Sequence, residues 1–123
     1  MRDILIVEDS SIVRLQLSEG LRKAGYKVLE AESGEAGLKF LKSNSNIGLV
    51  ISDFHLGTLD GLTMLEKAVS PSGSRTFKSL MLTTEASDKM RFRARNIGVS
   101  AWIIKPVDME SLLEAVKELI AKT

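Results

Sequence analysis

Ile47-Gly48-Leu49-Val50-Ile51-Ser52-Asp53 is the stretch on which the fold turns. It holds no charge until it ends on a carboxylate, the pattern of a central strand buried on both faces of a parallel sheet. Three other apolar runs end the same way, on a polar residue with useful chemistry. Ile4-Leu5-Ile6-Val7 meets Glu8-Asp9, Leu80-Met81-Leu82 meets Thr83-Thr84, and Trp102-Ile103-Ile104 meets Lys105. Ligands of an open parallel sheet bind outside the carboxyl ends of its strands, where the strand order reverses. If these runs are neighbours, three carboxylates, a hydroxyl and an ammonium share one pocket.

Outward from that stretch, apolar runs alternate with segments of helical period, which points to an α/β fold built from βαβ units. Strands are expected at 3–8, 27–32, 47–53, 79–84 and 100–105. The second, with Lys27 and Glu30, has the character of an edge strand. Val13, Leu17, Leu21 and Ala24 mark one face of a first helix that Gly25 closes. Ser33 caps the second helix, with Ala36, Phe40 and Leu41 inward, and Leu62, Leu65 and Val69 mark a third that stops before Pro71. Ser87 caps a fourth, with Met90, Ala94 and Ile97 inward and Gly98 at its end. Asp108 caps a fifth, with Leu112, Leu113, Val116 and Ile120 inward. Ser70-Pro71-Ser72-Gly73-Ser74 reads as a loop, too brief for a domain linker. Residues 1–123 are expected to form a single domain, without room for an output domain.

Composition narrows the class. Hydrophobic residues make up 44% and charged residues 27%, ordinary for a globular domain and unlike a disordered one. No apolar run approaches the roughly 18 residues of a membrane span, and Arg2-Asp3 leads into too short an apolar run for a signal peptide. A cytoplasmic location is therefore the default expectation, without membrane insertion. The absence of cysteine excludes disulfides, thiolate metal sites and cysteine nucleophiles. A net charge of +1 supplies no field that would gather nucleic acid, so no direct nucleic-acid partner is expected.

Glu8, Asp9 and Asp53 need compensation if they meet. Two unit charges about 4 Å apart repel by roughly 4 kcal/mol at an effective dielectric near 20. Lys105 offsets one of the three negatives. A divalent cation suits the remainder, and all-oxygen donors favour Mg²⁺. Glu8-Asp9 alone would be explained equally well as the acidic start of a helix. Asp53, Thr83 and Lys105, each at a strand end, shift the balance to a site. A carboxylate beside Mg²⁺, a hydroxyl and a lysine is equipped for phosphoryl transfer. Asp53, alone at the end of the most buried strand, is the expected nucleophile, with Glu8 and Asp9 left to hold metal.

With these residues in order, the chain resembles the receiver domain of two-component response regulators, and in particular its single-domain chemotaxis members. The resemblance rests on Ile4–Val7 with Glu8-Asp9, Val50-Ile51-Ser52-Asp53 with Asp60-Gly61, Leu82-Thr83-Thr84-Glu85-Ala86, and Ile103-Ile104-Lys105-Pro106. It implies a flavodoxin-like, doubly wound five-stranded parallel sheet in the order 2-1-3-4-5 with five helices. It implies Asp53 as the phosphorylation site and Glu8, Asp9, Asp53 and the backbone carbonyl of His55 as the Mg²⁺ or Mn²⁺ site. Thr83 and Trp102 would be the switch residues, and Lys105 the ligand of the phosphoryl group. The Lys105-Pro106 bond would be cis. A histidine kinase or histidine phosphotransfer protein would donate the phosphoryl group. A downstream protein would bind through helix 4, strand 5 and helix 5, and no separate substrate would be turned over.

Gly57, Thr84 and Trp102 depart from the commonest family pattern, in which proline, a small residue and a tyrosine or phenylalanine are frequent. They bear on the speed and amplitude of switching rather than its chemistry. Competing readings fit less well. An aspartyl-nucleophile phosphatase would carry a second aspartate where His55 stands. A flavin-binding protein would not place Glu8-Asp9 against an anionic phosphate, and a degenerate receiver would not keep the full acidic, hydroxyl and lysine set. His55 and Glu85 are expected on opposite rims of the site, His55 as an exposed loop residue. Lys89, Arg91, Arg93 and Arg95 spread around helix 4 as a solvated surface. Phe92 among them is a candidate anchor for an acidic partner at the edge of the output face, where Lys117 joins Arg91 and Arg95.

Overall fold

The computed structural model describes residues 2–69, 76–85 and 87–121. The elements alternate: β1 (Asp3–Val7), α1 (Ser11–Lys23), β2 (Val28–Ala31), α2 (Gly34–Ser43), β3 (Ile47–Ser52), α3 (Gly61–Ala68), β4 (Lys78–Thr83), α4 (Asp88–Ile97), β5 (Ala101–Ile104) and α5 (Met109–Ala121). All pairings are parallel and the sheet order is β2-β1-β3-β4-β5. The expected order and strand count hold, and the strand ends fall within a residue of the sequence-based bounds, β4 starting one residue earlier than expected. The expected loop Ser70–Ser74, and Ala86 of the fourth-strand motif, lie outside the described residues.

The two-residue period of the strands divides the core between two faces. Ile4 and Ile6 of β1 pack with Leu49, Ile51, Leu80 and Leu82 under Leu17 and Leu21 of α1 and Leu112 and Val116 of α5. Leu5 and Val7 point the other way, with Val50 and Met81, toward Leu62, Met64 and Leu65 of α3 and Ala94 of α4. Each of the larger of these buried side chains (Leu, Ile, Val and Met) contributes about 1.5–3 kcal/mol relative to exposure. A one-residue slip of β1 would exchange its two sets between the faces and set each against helices shaped for the other, so the register of the sheet, and with it the strand ends, is specified.

Side-chain caps fix where the helices begin. Ser33, Asp60 and Ser87 accept from the amides of Ala36, Thr63 and Met90, and Asp108 Oδ1 accepts from Ser111 N at 2.8 Å. Ser10 caps α1 through Val13 N. Gly98, at φ 96°, occupies the left-handed conformation that ends α4. Two expectations shift: Ala24 is the exposed C-cap of α1 rather than part of its inner face, and α3 ends at Ala68 with Val69 as its cap. The chain leaves β1 for β2 on one side and returns to β3 on the other, which opens a crevice at the carboxyl ends of β1 and β3.

Candidate functional site

Three backbone hydrogen bonds carry the sheet ladder one residue beyond the strands. Glu8 N donates to Ala31 O at 3.0 Å, Asp53 N to Val7 O at 3.1 Å, and Lys105 N to Thr83 O at 2.9 Å. The side chains of Glu8, Asp53 and Lys105 thus meet at the crevice. Lys105 Nζ donates to Glu8 Oε1 at 2.6 Å and to Asp53 Oδ2 at 2.7 Å. The Glu8 side chain is 3% exposed, that of Asp53 11% and that of Lys105 19%. Thr83 is fully buried beside them, and its Oγ1 accepts from Glu85 N at 3.4 Å.

The titration of these groups follows from this packing. Burial pushes the Asp53 carboxyl up, but the hydrogen bonds from Lys105, Thr83 and His55 N outweigh it and hold the group below 3.8. Glu8 goes the other way. Its burial exceeds the opposing effect of Lys105 and Ser10 N, and neighbouring Asp9 adds to the rise, so its carboxyl lies above 4.5. Burial lowers the Lys105 ammonium, yet Asp53 and Glu8 together raise it above 10.5. Two adjacent carboxyls pushed apart in this way are a mark of a functional site.

The donor set fits a hard cation. It offers oxygens only, and Mg²⁺ needs one or two carboxylates and keeps several waters. Asp9 is exposed and in contact with Glu8 at the edge of the crevice. Glu8 is more engaged than the sequence suggested, because its second oxygen, Oε2, accepts from Ser10 N at 3.0 Å. Among the described residues, no group of three or more His, Cys, Asp or Glu side chains converges on one cation position.

The β3–α3 and β4–α4 loops meet above Asp53. His55 N donates to Asp53 Oδ1 at 3.1 Å, while His55 Nε2 lies 2.8 Å from Glu85 Oε1. The two rim residues therefore touch, and His55 is exposed as expected. Trp102 Nε1 donates to Glu85 O at 3.0 Å, which ties the aromatic of β5 to the same loop. Thr84 is exposed. Gly57 adopts φ 89°, a conformation closed to proline, so its departure from the common pattern reflects a different turn. The Lys105-Pro106 bond is cis.

Two residues around the site, Ser10 and Arg14, were not singled out from sequence, and the physical role of Gly61 was not foreseen. Ser10 holds Glu8 and caps α1 at once. Arg14 Nη1 donates to Glu8 O at 2.7 Å, and its Nε lies 3.6 Å from Glu30 of β2. A basic residue in the first turns of a helix, where acids are favoured, was the available signal. Gly61 sits where any Cβ would strike the backbone oxygen of Asp53. Phe92, a candidate anchor at the edge of the output face, is exposed and lines a groove between α3 and α4. Arg93 is no solvated charge: it donates to Thr63 Oγ1 at 2.8 Å and Glu66 Oε1 at 2.6 Å.

A doubly wound sheet with an acid–lysine cluster at its switch point defines a class, and comparison with known proteins names it. Residues 4–117 match the model of the response regulator receiver domain, and the chain belongs to that family. It is 30% identical over 118 residues to chemotaxis protein CheY1 of Helicobacter pylori, covering 95% of each chain. A CheY-like receiver domain from Methanospirillum hungatei superposes with a TM-score of 0.90 at 31% identity, covering 99% of this chain and 95% of that one. A response regulator from Burkholderia pseudomallei, solved with a phosphorylated aspartic acid, calcium ion and citrate, gives 0.83 at 25% identity, covering 99% and 72%. The protein is thus a signalling domain of the two-component type, a class that does not turn over separate substrates.

Proposed function

We propose that this receiver domain accepts a phosphoryl group on Asp53 and works as a phosphorylation-controlled switch. The observation that carries the reading is the Lys105 ammonium held between Glu8 and Asp53 at 2.6 and 2.7 Å, beside a buried threonine hydroxyl. In the step proposed, an oxygen of the Asp53 carboxylate attacks the phosphorus of a phosphohistidine. A P–O bond forms as the P–N bond breaks, and the imidazole leaves with its electron pair. The low pKa of Asp53 keeps it ionised and ready. Lys105 then exchanges part of its contact with the carboxylates for a phosphoryl oxygen, and Thr83 donates to another. Asp9, Asp53, Glu8 and the His55 carbonyl would hold Mg²⁺, which neutralises charge on the transferring group.

A histidine kinase or histidine phosphotransfer protein is the proposed donor. Ile12 and Leu15, one turn into α1 from the acidic loop, are 70% and 53% exposed, and offer an apolar footing for it. On the far side, the contact of Trp102 with the Glu85 carbonyl supports output through α4, β5 and α5. Drawing Thr83 toward the phosphoryl group displaces Glu85 N, which it now accepts from, and Glu85 carries Trp102 with it. Incubation with an acyl phosphate and Mg²⁺ tests the reading by intact mass. One phosphoryl group should add to the parent protein and none to Asp53→Asn. Ile12→Arg should slow transfer from a phosphorylated kinase while leaving labelling by acyl phosphate unchanged. Labelling of Asp53→Asn would refute the assignment.

A further inference from the structure

The phosphoryl site makes no use of Phe92, which is 61% exposed in the middle of α4. With Val69, Met90 and Ile97 it forms the apolar lining of an open groove of about 730 Å³ between α3 and α4. The charges in that groove are not balanced. Glu66 and Arg93 neutralise each other at 2.6 Å. Lys89, at the groove's edge, has no carboxylate partner among the described residues, and neither do Arg91 and Arg95 on adjoining faces of the helix. Asp88, in the first turn, is the one acid that α4 carries. An apolar floor beneath a cationic edge complements a helix with apolar residues on one face and carboxylates flanking them.

We infer that the α3–α4 groove is a docking site for an acidic amphipathic segment of a partner protein, anchored by an apolar side chain against Phe92 and paired to Lys89. It is distinct from the α4–β5–α5 output face, whose own recess, about 180 Å³, lies across α4 beside Arg91, Arg95 and Trp102. The groove is also wired to the phosphoryl site. Arg93 Nη1 lies 3.8 Å from Asp60, the cap of α3, and Gly61 N donates to Phe54 O, next to Asp53, at 2.9 Å. An occupant would press on the side chain that ties α4 to the acceptor loop. Docking itself stands on the groove alone, so the unmodified protein tests it without regard to phosphorylation.

The probe is a fluorescein-labelled helical peptide of about 15 residues, long enough for several turns, with Leu and Phe on one face and Glu on the other. Its charge-reversed Lys counterpart serves as control. The acidic peptide should bind saturably and more weakly at higher salt, and the Lys peptide should not. Phe92→Ala and Lys89→Glu should each weaken binding about tenfold, as for an interface anchor, with Lys39→Glu on α2 neutral. Amide shifts on titration should centre on Val69, Met90, Phe92 and Ile97. The inference is overturned by absence of binding, by affinity indifferent to both groove substitutions, or by shifts centred on Trp102 and Lys117. Concentration-dependent self-association that Phe92→Ala abolishes would overturn it in favour of a second copy of this chain.

Discussion

Lys105→Met removes the charge that lets two buried carboxylates coexist. Each contact, at 2.6 and 2.7 Å, is worth about 6 kcal/mol of gross Coulomb energy at an effective dielectric near 20. Most of that is offset by desolvation of the ammonium and, in the variant, by proton uptake. Breaking a buried pair costs about 3–5 kcal/mol net, and the partial exposure of Lys105 argues for the lower end. The pH dependence follows from Glu8, whose carboxyl already lies above 4.5 because of burial and loses its main counterweight with Lys105. A folded-state carboxyl raised above its unfolded value destabilises progressively as pH climbs from the unfolded value through the folded one. Urea unfolding in EDTA should therefore show a loss of about 3 kcal/mol at neutral pH, a smaller loss near pH 4.5 where Glu8 takes up a proton but Asp53 stays ionised in the parent, and partial recovery with Mg²⁺ at neutral pH. A loss under about 1 kcal/mol, within the range of an exposed ion pair, or one independent of pH, would refute the charge balance drawn here.

Other predictions concern the frame around the site. Gly61→Ala should cost about 1–3 kcal/mol through overpacking against the Asp53 backbone, and should slow phosphorylation disproportionately by displacing Asp53; urea unfolding and intact mass measure the two effects. Thr84→Ala and Glu85→Ala should each shorten the life of the phosphorylated state by opening the rim to water, as followed by decay of the mass shift after donor removal. Trp102 fluorescence should change on adding a phosphoryl mimic with Mg²⁺, and Glu85→Ala should keep that response because the indole bonds to the backbone oxygen. At the alkaline end, Lys105 is raised above 10.5 by Asp53 and Glu8 against the pull of burial. Its contribution to stability is complete below that value and disappears as pH rises through the folded pKa. Lys105→Met should lack this component in alkaline unfolding curves.

The fold was largely legible because its signals are local and periodic. The uncharged run from Ile47 to Ser52 does sit at the centre of the sheet, and Lys27 and Glu30 do mark an edge. Glu8, Asp53, Thr83 and Lys105 could be gathered in advance because each ends or directly follows a strand and parallel strands end on one side. Which of them pair could not. A charge count says that one lysine faces three acids, but not that Lys105 bridges Glu8 and Asp53 while Asp9 stays exposed. The His55–Glu85 contact joins loops thirty residues apart, and no sequence period encodes it. Arg93 looked like one of four equivalent cations on α4. Only the packing of α4 on α3 puts it against Thr63 and Glu66, and turns Phe92 into the groove they share.

The most direct test of the central claim is to trap the acyl phosphate and locate it. Borohydride reduces an aspartyl phosphate to homoserine, so protein treated with acyl phosphate and Mg²⁺, reduced, digested and mapped by mass spectrometry reports the modified position. Homoserine at position 53, absent without Mg²⁺ and absent from Asp53→Asn, is the result predicted. Homoserine at position 9 or elsewhere, or none at all under conditions that add a phosphoryl group to the intact protein, would contradict it.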